Sequence, residues 1–112
     1  MITGAHSVMF TNDAEADRAF FRDVLGLPHV DAGNGWLIFA LPPTELGIHP
    51  SSGHSGHELF LTCDDLHNFI AQMAAVGVPT AKVTEESWGH LTHVTLPSGS
   101  KLGVYQPIHG KP

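Results

Sequence analysis

The stretch VLGLPHV, residues 24–30, is echoed by VGVPTAK, residues 76–82, with its glycine and proline 51 residues on. Gly26 and Pro28 fall on Gly77 and Pro79, and the same offset carries further without a gap. His6 falls on His57, Asp13 on Asp64, Leu25 on Val76 and Leu27 on Val78. Matches that share one offset point to an internal duplication, which decides the architecture before any single element is assigned. Each copy spans about 50 residues, too few for a good core of its own, so the copies must pack on each other.

Both copies carry the same order of signals. GAHSVMFT (4–11) and GHELFLTC (56–63) mix β-branched and aromatic residues with partial alternation, as strands do. Helices are expected over about 13–25 and 65–76. Asn12 is the expected cap of the first, with Glu15 completing a capping box, and Asp64 of the second. Leu66, Phe69, Ile70 and Met73 recur at the spacing of one buried helical stripe. Gly26 and Gly77 are helix stops, and the proline two residues on forbids continuation. Three strand candidates follow in each copy: HVDAG, GWLIFAL and TELGIHP in the first, PTAKVTE, WGHLTHVTL and KLGVYQP in the second. The turns AGNG, LPPT and LPSGS supply the Gly, Pro, Asn and Ser that tight reversals need. The expected organisation is one domain over 1–112, with module one at 1–50, a linker at 51–56, module two at 57–107 and a tail at 108–112.

The 112-residue chain has a formal net charge of −6. Its five basic residues, Arg18, Arg22, Lys82, Lys101 and Lys111, form no stripe, which argues against a nucleic-acid partner. No run is apolar enough to cross a membrane, and the N-terminus lacks the pattern of a secretory signal. The single cysteine, Cys63, excludes an intramolecular disulfide and suits a reducing cytoplasm. Nine histidines are the unusual feature, since imidazole is a common metal ligand.

Three stretches carry a resemblance: AHSVMFTNDAEADRAFFRDVLGLP, HELFLTCDDL and WGHLTHVTLPSGSKLGVYQP. Together they resemble the vicinal-oxygen-chelate superfamily, which includes glyoxalase I, extradiol dioxygenases and bleomycin-resistance proteins. The resemblance covers nearly the whole chain. It implies an α+β fold of two βαβββ modules whose sheets form a cupped mixed sheet. Small chains of this kind usually dimerise, which implies a homodimer. It also implies a divalent transition metal (Fe, Mn, Ni, Co or Zn) held from the first and last strands of each module.

Carried over residue by residue, His6 and His57 take the two first-strand ligand positions. The ligand position on the last strand of module two falls on Gly103, which has no side chain to offer. In module one, Glu45, Gly47 and His49 share a strand face by the period of two, but span ~13 Å, so one of them at most reaches a shared ion. With Glu45 in the slot, His6, His57 and Glu45 make a two-histidine, one-carboxylate set. An alignment one pleat further puts Gly47 there and leaves two ligands. Tyr105, beside Gly103 on the cup strand, is placed to hydrogen-bond a substrate, and Glu45 to act as a base if it leaves the ion.

Each of these residues also has a plain structural role open to it. His6 and His57 could be half-buried strand histidines, and Glu45 a solvated carboxylate. Of His90 and His93, three apart on a strand, one faces the cup and the other outward. Cys63 lies too far along its strand from His57 to share an ion and belongs to the core. His54 and His109 are expected in solvent. Trp36, Trp88, Phe39 and Tyr105 could line an apolar pocket or simply pack. Three functions remain: a metal-dependent lyase, isomerase or dioxygenase acting on a small molecule with vicinal oxygens; a metal-free small-molecule binding protein of the bleomycin-resistance type; and a scaffold with a vestigial site. The paired histidines favour the enzyme, and Gly103 favours the binding protein.

Overall fold

The computed structural model describes residues 7–45, 47, 52 and 57–110. Helix α1 (Ala14–Ala19) runs on into a π-helical turn over Phe20–Val24. Helix α2 spans Leu66–Ala75. Both stand where the stop signals require. The caps differ from expectation by one residue each. Asp13, not Asn12, caps α1, and its carboxylate accepts the Ala16 N–H at 3.1 Å. The Asp13 N–H donates to the Thr11 hydroxyl at 3.1 Å, the job a capping box would have given Glu15. Asp65, not Asp64, caps α2 and accepts the Asn68 N–H at 3.0 Å. Leu66, 2% exposed, sets that phase: its N–H donates to the Gln106 side-chain carbonyl at 2.9 Å, which docks the helix start on the sheet.

The stops behave alike, with Gly26 at φ 66° and Gly77 at φ 74°, the left-handed geometry glycine adopts without strain. From Asp13 to Gly26, however, is one residue longer than from Asp65 to Gly77. The π turn absorbs that residue. Leu25 N–H reaches back to the Phe20 carbonyl and Leu27 N–H to that of Phe21, both at 3.1 Å. Neighbouring Phe20 and Phe21 are both buried, at 6% and 8% exposure. The offset between the modules is therefore 51 after the helices and 52 before them. Seven residues before the cap stands His6 in module one and Glu58 in module two.

Module two is a complete βαβββ unit. Strands β3 (Phe60–Thr62), β4 (Thr84–Glu86), β5 (Gly89–Thr95) and β6 (Lys101–Pro107) are ordered β3-β6-β5-β4. β3 runs parallel to β6, with Phe60 opposite Gly103, and the other pairs are antiparallel. The expected strand at 79–85 is split. Thr80 bridges to Val94, and the Thr92 hydroxyl then donates to the Ala81 carbonyl at 2.7 Å, a side-chain bond where the regular ladder lapses before β4. In module one, β1 (His29–Asp31) pairs antiparallel with β2 (Leu37–Phe39). Residues 7–10 and, of the expected 44–50 strand, 44, 45 and 47 are not in strands. Residues 4–6 of the first strand and 46 and 48–50 of the second lie outside the described residues, as do 51 and 53–56 of the linker.

One face of the β3–β6 sheet is the core. Val94, Leu96 and Leu102 are at most 2% exposed and pack with Met73 of α2 and with Phe20 and Phe21. Leu59, Leu61 and Phe39 close its margin. Each such apolar side chain taken from water contributes about 1.5–3 kcal/mol. Buried Asp17 of α1 adds a polar tie, accepting from the Ser98 N–H at 3.1 Å and the Ser98 hydroxyl at 2.8 Å in the β5–β6 turn. The modules thus share one interior, as copies too small to fold alone require. None of the helices among the described residues is long and apolar enough to cross a membrane.

Candidate functional site

The second face of the sheet carries the residues of functional interest. Strand alternation sends Leu102, Val104 and Gln106 of β6 to the core and Lys101, Gly103 and Tyr105 to the opposite face. On β3, Leu61 goes to the core and Phe60 lies over Gly103. A Cβ at Gly103 would stand 2.6 Å from Phe60 Cε1 and nearer still to Cδ1. The place the resemblance assigns to a metal-holding side chain is therefore filled by an aromatic ring.

Phe60 belongs to an aromatic wall. Its ring meets Trp88 and Tyr105 edge-on, with centroids 6.1 Å away in each case, and Trp88 meets Tyr105 at 4.9 Å and 86°. Phe60 keeps 37% of its surface exposed, so the wall presents ring area outward. Edge-to-face pairs of this kind add about 0.5–1.5 kcal/mol each beyond buried area and hold the rings in place.

Tyr105 is the polar end of the wall. Its hydroxyl lies 3.1 Å from His109 Nε2, and Glu45 Oε1 lies 4.0 Å from the same nitrogen. His109 Nδ1 is 2.9 Å from the Gly110 carbonyl. Burial pushes the Tyr105 phenol above its ordinary range, and the Glu45 carboxylate adds to the shift, so the hydroxyl keeps its proton. His109 is exposed, as expected, and its ring lies beside that of Tyr105, centroids 6.0 Å apart. It sits at the end of β6, where the Ile108 N–H donates to the Trp88 carbonyl at 3.1 Å and directs the tail back over the wall.

Beside Phe60 opens a cavity of about 420 Å³, between the segment at 7–10 and the start of module two. His57, Glu58, His93, Lys101 and Gly103 line it. His93 is thus the member of the His90/His93 pair that faces this site, while His90 Nδ1 lies 4.0 Å from Glu85 Oε1 at the far edge.

Of the three expected metal ligands, two fall among the described residues. His6 lies outside the described residues. His57 is in the cavity, and Glu45 is with His109 and Tyr105. Among the described residues no three His, Cys, Asp or Glu side chains are grouped to hold one ion. Phe60 lies over Gly103, and Glu45 Oε1 lies 4.0 Å from His109 Nε2. Phe60 and His109 had no advance signal in their own residue types. Phe60 becomes significant only through its register opposite Gly103.

No family model and no curated protein sequence matches this chain. Solved structures do match in shape. A lactoylglutathione lyase from Agrobacterium tumefaciens superposes with a TM-score of 0.68 at 18% identity, over 93% of this chain and 92% of that one. TnmS3, an antibiotic binding protein from Streptomyces sp. CB03234, gives 0.65 at 20% identity, over 96% and 99%. An integron cassette protein from V. Cholerae gives 0.60 at 17% identity, over 95% and 97%. The fold is the α+β glyoxalase/bleomycin-resistance/dioxygenase fold, with module two a complete βαβββ unit and module one contributing its helix and the β1–β2 pair among the described residues.

Proposed function

We propose that this protein binds a planar aromatic small molecule against the Phe60–Trp88–Tyr105 wall and does so without a metal ion. The observation that carries the proposal is Phe60 seated over Gly103, which turns a ligand slot into an apolar floor. Rings held edge-on to one another leave faces and edges free for a guest ring. The adjoining cavity, with Glu58, His93 and Lys101, supplies the few polar groups that orient a ligand. The likeness of TnmS3, an antibiotic binding protein, supports the same reading. The free thiol of Cys63 suits a cytoplasmic protein.

Calorimetric titration with 2-naphthol tests the proposal. Wild type should bind, and Phe60→Ala and Trp88→Ala should each weaken binding roughly three- to tenfold. No binding by wild type, or unchanged affinity in both variants, refutes it.

A metal-dependent enzyme is the second reading, favoured by His57, Glu58 and His93 lining one cavity. A divalent metal would polarise an oxygen pair of a substrate, with His6, His57 and Glu45 as ligands and Tyr105 as hydrogen-bond donor. Co(II) titration of metal-stripped wild type, His6→Ala, His57→Ala and Glu45→Gln decides it. Stoichiometric binding by wild type that any of the variants loses would move this reading ahead.

A further inference from the structure

We infer that the His109 ring fixes the polarity of Tyr105, so that the site selects aromatic ligands carrying a hydrogen-bond donor, an O–H or N–H, at the Tyr105 end. The inference rests on the proposed aromatic site and deepens it by naming the ligand's polar group.

The argument is one of hydrogen-bond accounting. The partner of His109 Nδ1 is the Gly110 carbonyl at 2.9 Å, and a carbonyl only accepts. Nδ1 therefore carries the proton of the neutral ring, and Nε2 carries the lone pair. The neighbour of Nε2 at 3.1 Å is the Tyr105 hydroxyl, which must then donate. A hydroxyl has one proton to give and two lone pairs. With the proton committed to His109, what Tyr105 presents to a guest is acceptor capacity alone. Glu45 Oε1, 4.0 Å from Nε2, is too far to compete for a hydrogen bond. Its negative charge works in the same sense, because a ligand acceptor brought to this end would meet a carboxylate and a lone pair together. Tyr105 from β6 and Glu45 from the segment after β2 are the titratable groups that face the ring among the described residues.

The geometry also explains why the tail folds back. The Ile108 N–H is bound to the Trp88 carbonyl, so the tail is anchored to the segment that carries the second ring of the wall. His109 then reaches Tyr105 from four residues away, ring centroids 6.0 Å apart.

The test uses two probes of one shape, 2-naphthol and 2-methoxynaphthalene, titrated calorimetrically into the full chain at about pH 8, above the range where imidazoles ordinarily charge. Wild type should prefer the naphthol roughly three- to tenfold, the worth of one hydrogen bond. His109→Phe keeps a ring against Tyr105 but releases its proton, so the preference should shrink to about twofold or less. Tyr105→Phe should abolish it. Circular dichroism of each variant confirms the fold. Equal binding of the two probes by wild type, or an undiminished preference in His109→Phe, overturns the inference and leaves the aromatic site standing. Binding of neither probe overturns both.

Discussion

Gly103→Ala measures how firmly Phe60 holds its seat. The added methyl would fall 2.6 Å from Phe60 Cε1, so the ring or the strand must move. Phe60 is 37% exposed and its ring is the end of a side chain, so the ring moves first. That forfeits its edge contacts with Trp88 and Tyr105, about 0.5–1.5 kcal/mol each. The expected destabilisation is about 1–3 kcal/mol, in line with overpacking elsewhere. In a Phe60→Ala background the obstacle is gone. The same Gly103→Ala change should then cost nothing, or stabilise by a few tenths to ~1 kcal/mol, because alanine loses less backbone freedom than glycine on folding. Urea denaturation of the four proteins gives the coupling directly. A non-additivity of about 1–3 kcal/mol is expected. Additivity within ~0.5 kcal/mol would falsify the claim that Phe60 occupies the slot. The cycle also bears on metal binding. Gly103→Glu can offer a carboxylate to the cavity only when Phe60 is removed, so any gain in Co(II) affinity belongs to the Phe60→Ala, Gly103→Glu double variant and not to Gly103→Glu alone.

Asp17→Ala leaves the Ser98 N–H and hydroxyl without their acceptor and should cost about 1.5–3 kcal/mol by urea denaturation, with Asp17→Asn costing less; a change within ~0.5 kcal/mol would remove Asp17 from the link between α1 and the β5–β6 turn. Tyr105 is the sole tyrosine, so ultraviolet titration of phenolate absorbance reports it alone. Its midpoint should lie above the ordinary ~10, and Glu45→Gln should bring it down, since a nearby carboxylate disfavours phenolate. A midpoint indifferent to that change would place Glu45 elsewhere. Val8 and Phe10, 59% and 92% exposed at the cavity's edge, are expected to be covered by a second copy of this chain. Sedimentation equilibrium at micromolar concentration should then find twice the 12.0 kDa chain mass, and a monomer throughout would exclude it.

Much of the fold was legible because its signals are local. Gly26 and Gly77 end helices by backbone geometry alone, and KLGVYQP alternates so plainly that β6 spans it without a residue's error. The caps were misplaced because Asn12, Asp13, Asp64 and Asp65 are equally able to cap. The choice was made at a distance, by Gln106 meeting the Leu66 N–H across 40 residues. The site was legible only in part. Tyr105 and the emptiness of Gly103 could be read from alternation, but Phe60 opposite Gly103 is a matter of register between strands. The meeting of His109 with Glu45 depends on where the tail and the segment after β2 come together. Neither has a one-dimensional trace.

The extra residue in the π turn has a practical consequence for anyone recombining the two halves of this protein. Cut points taken from the conspicuous identities, His6 with His57 and Asp13 with Asp64, would splice β3 one position out of phase with the helix it is joined to. Every side chain on that strand would then turn to the wrong side of the sheet. A workable exchange transfers the lead-in on one numbering and the trailing hairpins on another, and changes numbering inside Phe20–Val24, the five residues that already absorb the discrepancy.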